Sequence, residues 1–210
     1  KRGYRQLVSQ APLRETMAAG LINLSFWNAD RPFLDPFCGS GTLPIEAALM
    51  ARNIAPGLKR DFAAEQWPRL PKKLWQRVRQ EADDAIDMGT DIDGEILKAA
   101  RQNAERAGVL GDIHFQQMPV SEVRSSKHYG VLVTNPPYGE RLGDRLAVTQ
   151  LYQELAKTLR PLETWSFYIL TAFPEFERAF GQRADRRRKL YNGDLLCQYY
   201  QYYGPRPPRS

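Results

Sequence analysis

The octapeptide Asp35-Pro36-Phe37-Cys38-Gly39-Ser40-Gly41-Thr42 constrains this chain more than any other stretch. It lies between a short apolar run ending at Leu34 and a helix-forming segment from Thr42 to Ala51. A strand that ends in an acid and turns through glycines into a helix is the entry unit of a doubly wound sheet, with ligands beyond the strands' carboxyl ends. Glycines there let the backbone approach a ligand and leave amide groups unblocked. A dinucleotide turn would place a third glycine where Pro44 stands, and no Gly-Lys-Ser/Thr follows as a triphosphate loop requires.

The rest of the chain alternates in the same way. Leu13, Met17, Leu21 and Leu24 recur at helical spacing, and Arg31 to Asp35 reads as a buried strand. Residues 85–91 form a second strand. Asp93 caps a helix running to Ala107, with Gly108 as its stop. Ile113 to Gln116, Val131 to Thr134 and Trp165 to Leu170 are further strands, and Leu151, Leu155 and Leu159 mark a helix ending near Pro161. Arg187 to Tyr191 and Leu195 to Tyr202 flank Asn192-Gly193, a hairpin signal. The expected fold is α/β: a doubly wound, mainly parallel, Rossmann-like sheet with a C-terminal antiparallel hairpin at or near its edge. From Arg52 to about Asp84, Pro56, Gly57, Pro68 and Pro71 break the pattern, so this is expected to be an insertion with a helix over Lys72 to Ala85.

At 210 residues the chain fits one domain, large enough to bury roughly 70% of its unfolded surface. No apolar run approaches the ~20 residues that cross a bilayer, and the start lacks the apolar core of a secretion signal. The missing initiator Met implies a fragment or a processed chain. Cys38 and Cys197 give no disulfide framework, no Cys/His spacing suits zinc, and His114 and His128 stand alone as surface or loop residues. The expectation is a cytoplasmic protein with no metal and no membrane contact. The net charge is +6, concentrated at Arg183, Arg186 to Arg188 and Lys189 and again at Arg206 and Arg209. That surplus suits a nucleic acid through its phosphates, although basic residues also protect a solvated strand edge.

Asn135-Pro136-Pro137-Tyr138 follows the strand Val131 to Thr134, which puts it at the same carboxyl edge as the glycine turn. An exocyclic base amine is a poor nucleophile because its lone pair is delocalised into the ring. Acceptors at the Asn135 side-chain oxygen and the Pro136 carbonyl would orient that nitrogen and favour its pyramidal form. Two prolines place those acceptors beforehand, and Tyr138 can stack on a base turned out of its helix or loop.

The octapeptide resembles the cofactor motif of class I S-adenosyl-L-methionine (SAM)-dependent methyltransferases that modify base amines. The resemblance implies Asp35, Gly39 and Gly41 as cofactor residues, with Phe37, Cys38 and Thr42 as neighbours. It implies an acid at the end of the second strand for the ribose hydroxyls. Asp91 fits this place and Asp93, with its own work as a helix cap, competes for it. Near the adenine the family usually has an acid where this chain has Gln116-Gln117, so recognition falls to Gln117 or to main-chain groups. Asn-Pro-Pro-Tyr-Gly-Glu-Arg-Leu (135–142), with Ala-Pro-Leu-Arg-Glu-Thr (11–16) and Lys-Arg-Gly-Tyr-Arg (1–5), resembles bacterial methyltransferases labelled N6-adenine-specific DNA methylases. It also resembles the guanine-N2 methyltransferases of large-subunit ribosomal RNA. That family usually carries an upstream RNA-binding THUMP domain, so a catalytic domain of a longer protein is expected. Its 11–17 region is expected to pack across the cofactor pocket. The implied function is methyl transfer to guanine N2 of ribosomal RNA, with Asn135, Pro136, Pro137 and Tyr138 as catalytic loop. The alternatives are an adenine-amino DNA methyltransferase and a non-catalytic, SAM-sensing RNA-binding subunit. Glu46, Glu140 and Arg141 are left unassigned.

Overall fold

The computed structural model describes residues 2–5, 13–55, 87–91, 93–139 and 145–208. The expected insertion helix over 72–85, and Glu140 and Arg141, lie outside the described residues. Five strands pair in the order β1 (Phe33–Leu34), β4 (Val131–Thr134), β5 (Ser166–Thr171), β7 (Leu195–Tyr202), β6 (Arg186–Asn192). A parallel pair, β2 (Asp87–Asp91) and β3 (Ile113–Gln117), continues the sheet beside β1. The join is a parallel bridge between Asp35 and Gly89, closed by Thr90 N donating to the Asp35 carbonyl at 2.9 Å and Cys38 N to the Thr90 carbonyl at 3.0 Å. The spatial order is therefore β3-β2-β1-β4-β5-β7-β6. The order in which the chain adds strands reverses between β1 and β4, the topological switch point where such sheets bind ligands.

Strands β1, β4 and β5 run parallel, whereas β7 is antiparallel to both β5 and β6. The hairpin thus enters the sheet through its second strand, because β7 is apolar on both faces and β6 carries the charge. Tyr199 packs with one core layer and Tyr200 with the other. Strand β4 is buried throughout: Val131 and Val133 meet the layer of α1 (Glu15–Asn23) and α2 (Thr42–Ala51), and Leu132 meets the opposite one. That opposite layer holds α4 (Arg145–Leu159) and a short α5 (Phe176–Phe180), whose Phe176 stacks on Phe180. Each such buried aliphatic or aromatic side chain contributes about 1.5–3 kcal/mol relative to exposure. Among the described residues no helix is long and apolar enough to cross a membrane.

Helix α3 (Gly94–Ala107) forms where expected. Asp93 accepts from the amides of Glu95 (2.9 Å) and Ile96 (3.3 Å), and Leu97, Ala100 and Ala104 make its buried stripe. It packs on α2, which in turn sits hard against β2: a Cβ at Gly89 would lie 2.8 Å from Pro44 Cγ and 3.3 Å from the Phe115 ring. Pro44 is tolerated because a first-turn amide has no helical acceptor. This close approach seats the glycine turn on the strand ends. Gly89→Ala should lower the unfolding free energy by about 1–3 kcal/mol through overpacking. Denaturant melts of both proteins check this, and an unchanged midpoint would refute the contact.

Candidate active site

The glycine turn is built by converging polar groups from four elements. Gly39 and Gly41 both take positive φ (52° and 83°), which explains glycine at each position. Gly39 N donates to Asp91 Oδ2 at 2.9 Å, and Asp91 Oδ1 accepts from Asp93 N at 3.0 Å. Asp93 itself is committed to capping α3, so Asp91 is the acid that faces the turn, and Asp93 belongs to the helix. The Ser40 carbonyl accepts from Asn103 Nδ2 of α3 at 3.1 Å. A Cβ at Gly41 would lie 3.1 Å from Ala100 Cβ, so the turn also needs glycine to let α3 close on it. Beside Gly39, by contrast, only Ile96 Cδ1 among the described residues would come within 4 Å, at 3.8 Å, leaving room for a ligand.

Asp35 ends β1 and is fully buried. Its Oδ1 accepts from Thr134 Oγ1 at 2.6 Å and from Phe37 N at 3.1 Å. Burial pushes its pKa up to about 7, against the lowering of those two bonds and with help from the Asp91 charge. Cys38 is buried and its thiol is pushed well up, first by burial and then by Asp35 and Asp91, so it stays protonated and serves packing. Phe37 is half-buried against the α4 layer. Thr42 opens α2, with Arg5 Nη1 at 3.4 Å from its Oγ1 and also bound to the Leu13 carbonyl. Gln117 ends β3 in register with Asp91. Its amide lies over Gly94, 2.7 Å from where a Cβ would stand. All eight expected cofactor residues thus gather at the carboxyl ends of β1, β2 and β3.

Next to them, Asn135 to Tyr138 leave β4. Pro136 is buried, Pro137 exposed, and Asn135 and Tyr138 half-buried. Tyr152 of α4, wholly buried, donates to the Pro137 carbonyl at 2.8 Å and shares a 2.8 Å bond with Thr171 Oγ1. The Tyr138 hydroxyl donates to Asn135 Oδ1, and its ring packs against the α1–α2 layer beside Cys197 and Asn192. Burial, reinforced by Cys197, pushes this phenol far up. The sequence suggests a Tyr138 ring able to stack; here the ring packs inward and its hydroxyl bonds the Asn135 oxygen, the atom expected from the sequence to accept from a base amine.

Residues missed by the sequence reading hold the site from behind. Asn103, Thr134 and Tyr152 are positioning residues of the turn and loop. Asn103 had a signal, being the polar member of an apolar stripe, and Tyr152 had none beyond its helix. Glu46, fully buried on α2, accepts from the Tyr4 hydroxyl at 2.9 Å and pairs with Arg2 at 2.6 Å. Residues 2–5 are thereby clasped across α2. Burial raises Glu46 to about 7, opposed by Arg2 and Tyr4 and reinforced by Glu15. A separate cavity lined by Leu159, Arg160, Trp165, Phe180 and Tyr202 lies at the amino end of β5, away from both motifs. Among the described residues no cluster of His, Cys, Asp and Glu can hold a metal.

The raised Asp35 value has a thermodynamic consequence. The folded protein keeps a proton there from the ordinary value of 3.8 up to about 7, while the unfolded chain loses it. The stabilisation is complete below the unfolded value and is lost as pH rises through about 7. Asp35→Asn abolishes this titration, so the melting temperature of the variant minus that of the parent should climb between those two values. A flat difference across that window in ligand-free protein would contradict the burial argument.

Residues 2–201 match the family model described as an RMKL-like methyltransferase domain. YpsC of Bacillus subtilis (strain 168), named as a candidate RNA methyltransferase, is 48% identical over 219 residues, covering 100% of this chain and 57% of that protein. The ribosomal RNA large subunit methyltransferase K/L of Legionella pneumophila (strain Corby) is 44% identical over 216 residues, covering 95% of this chain and 30% of that protein. A solved structure of SMU.472, described as a candidate methyltransferase complexed with SAH, superposes with a TM-score of 0.90 at 49% identity, covering 99% of this chain and 56% of that one. The chain spans little more than half the length of YpsC and under a third of the Legionella protein. With a glycine turn and an Asn-Pro-Pro-Tyr loop side by side, and a match running over nearly its whole length, the chain belongs to the RMKL-like methyltransferase domain family.

Proposed function

We propose that this chain is the catalytic domain of a SAM-dependent RNA methyltransferase that modifies guanine N2 of ribosomal RNA. The observation that carries the reading is the 2.6 Å bond between Thr134 and Asp35, which joins the acid of the glycine turn to the strand that delivers Asn135. The names of YpsC and the K/L relative support RNA as the substrate, and the SAH bound to SMU.472 supports the cofactor. Both relatives extend far beyond the matched segment, in keeping with one domain of a longer enzyme.

The residues present fit SAM. The space beside Gly39 suits its methionine part, the Asp91 carboxylate suits a ribose diol, and Ile96 with Gln117 flanks a place for the adenine. Bound there, SAM supplies a methyl group already activated by its sulfonium, so this chain needs no nucleophile of its own. Its residues bind and aim. Asn135 Oδ1 and the Pro136 carbonyl accept the two N–H bonds of the base amine, turning its lone pair toward the methyl carbon. Tyr152 and the two prolines hold that geometry in advance, and such positioning supplies much of the rate. Capture of the base exchanges the Tyr138–Asn135 hydrogen bond for an amine–Asn135 bond, which frees the Tyr138 ring to cover the base.

The parent protein, incubated with isotopically labelled SAM and either unmodified ribosomal RNA or genomic DNA, should yield labelled N2-methylguanosine from the RNA on digestion and mass spectrometry. Labelled methyladenine from DNA would overturn the substrate assignment and keep the chemistry. Asn135→Ala should lower kcat by about 10²–10³-fold with SAM affinity retained. Asp91→Asn should weaken SAM binding by about tenfold or more, as loss of a charged hydrogen bond does. An Asn135→Ala enzyme as fast as the parent would remove the loop from the mechanism.

A further inference from the structure

The β6–β7 hairpin meets the active-site edge in a way the chemistry above does not use. Thr171, the last residue of β5, pairs with Gln198. Residues before 198 therefore project beyond the carboxyl ends of the parallel strands, over the edge that holds both motifs. Cys197 and Asn192, near this tip, lie against the Tyr138 side chain. Leu190 and Cys197 are register partners and face the α1–α2 layer. Because strand side chains alternate, Arg187, Lys189 and Tyr191 share the other face.

On that face the helices stop short of the tip. Tyr191 is 66% exposed and its register partner Leu196 is 46% exposed, so an aromatic ring and an aliphatic side chain stand together in solvent beside the loop. Arg187 is anchored by Glu177 and lies 5.9 Å from the Tyr200 ring. Lys189, on the same face, is exposed and makes no ion pair among the described residues. From Arg186 to Tyr202 the sequence holds Arg186, Arg187, Arg188 and Lys189 against a single acid, Asp194. A protein partner would be served by the apolar pair alone. An unpaired cation, Lys189, beside an exposed ring on a basic strand fits a partner with both phosphates and bases.

We propose that the outer face of this hairpin holds the RNA next to the target base, with Tyr191, backed by Leu196, stacking on a neighbouring base and Lys189 contacting its phosphate. This rests on the assignment of RNA as substrate. The hairpin then acts through the loop it touches: a strand gripped at Tyr191 delivers the adjoining nucleotide to Asn135 and Tyr138.

The test uses the parent protein, labelled SAM and unmodified large-subunit ribosomal RNA, with Tyr191→Ala, Tyr191→Phe and Lys189→Gln compared with wild type. Loss of one base stack should raise KM for RNA in Tyr191→Ala by about five- to a hundredfold, with SAM affinity unchanged. Tyr191→Phe keeps the ring and should restore KM. Lys189→Gln should weaken RNA binding and reduce the slope of log affinity against log salt by about one. If wild type methylates RNA and Tyr191→Ala has the same KM, the hairpin assignment is wrong. It is equally wrong if SAM affinity falls in step with RNA affinity, which marks a purely structural role. A change in oligomeric state by size exclusion, with KM unchanged, would assign the patch to a second copy of the chain. If wild type transfers no label to RNA, the parent reading fails and the hairpin proposal falls with it.

Discussion

A carboxyl group sits out of contact with water where the strand order of the sheet switches, between β1 and β4. Asp35 can be buried there only because Thr134 and the Phe37 amide satisfy one of its oxygens, since an unpartnered polar group in the interior costs several kcal/mol. The bond it makes with Thr134 spans β1 and β4 at their ends. Thr134 is followed directly by Asn135, so satisfying a buried acid also fixes where the acceptor loop begins. Turn and loop are a hundred residues apart in the chain and one hydrogen bond apart in space.

In the rest of the site, several polar groups of the turn and the loop are answered by side chains from other elements. Asp91 from β2 answers the Gly39 amide, Asn103 from α3 answers the Ser40 carbonyl, and Tyr152 from α4 answers the Pro137 carbonyl. A shift of any of these elements would break one of these bonds. Preorganisation of this kind is what electrostatic and positional catalysis needs. Tyr138 is the exception. Its bond to Asn135 links two groups of the same loop rather than two elements of the fold.

Where local chemistry decides, the sequence was legible. Four consecutive apolar and β-branched residues, Val131 to Thr134, could be little other than a strand buried on both faces. Asp93 and Gly108 marked the ends of α3, and Asn192-Gly193 marked a turn that begins and ends within a residue of the expected place. Helix α5 went unseen because nothing local makes it. Its five residues have no side-chain cap, and they are helical because Phe176 and Phe180 pack on Tyr200 and Tyr202. The expected cofactor residues came together for the same reason they were legible: strand ends in this topology share one edge. Thr134, Asn103 and Tyr152 escaped because a hydroxyl or amide inside an apolar pattern shows its purpose only once its partner, sixty or so residues away for Asn103, is in place. The inward fold of Tyr138 depends on the hairpin beside it, and no reading of Asn-Pro-Pro-Tyr alone contains that neighbour.

Two buried carboxyls on neighbouring segments, Asp35 and Glu46, are both held up to about 7. At neutral pH each resists ionisation that its unfolded counterpart would accept, so each weakens folding there. The apolar layers around β4 and β5 are extensive enough to bear that cost. The gain differs in the two cases. Asp35 sets the turn against the loop, whereas Glu46 draws Tyr4 and Arg2 down onto α2 and brings Arg5 to the side of Thr42. The second clasp attaches the start of the chain to the helix that begins at the glycine turn.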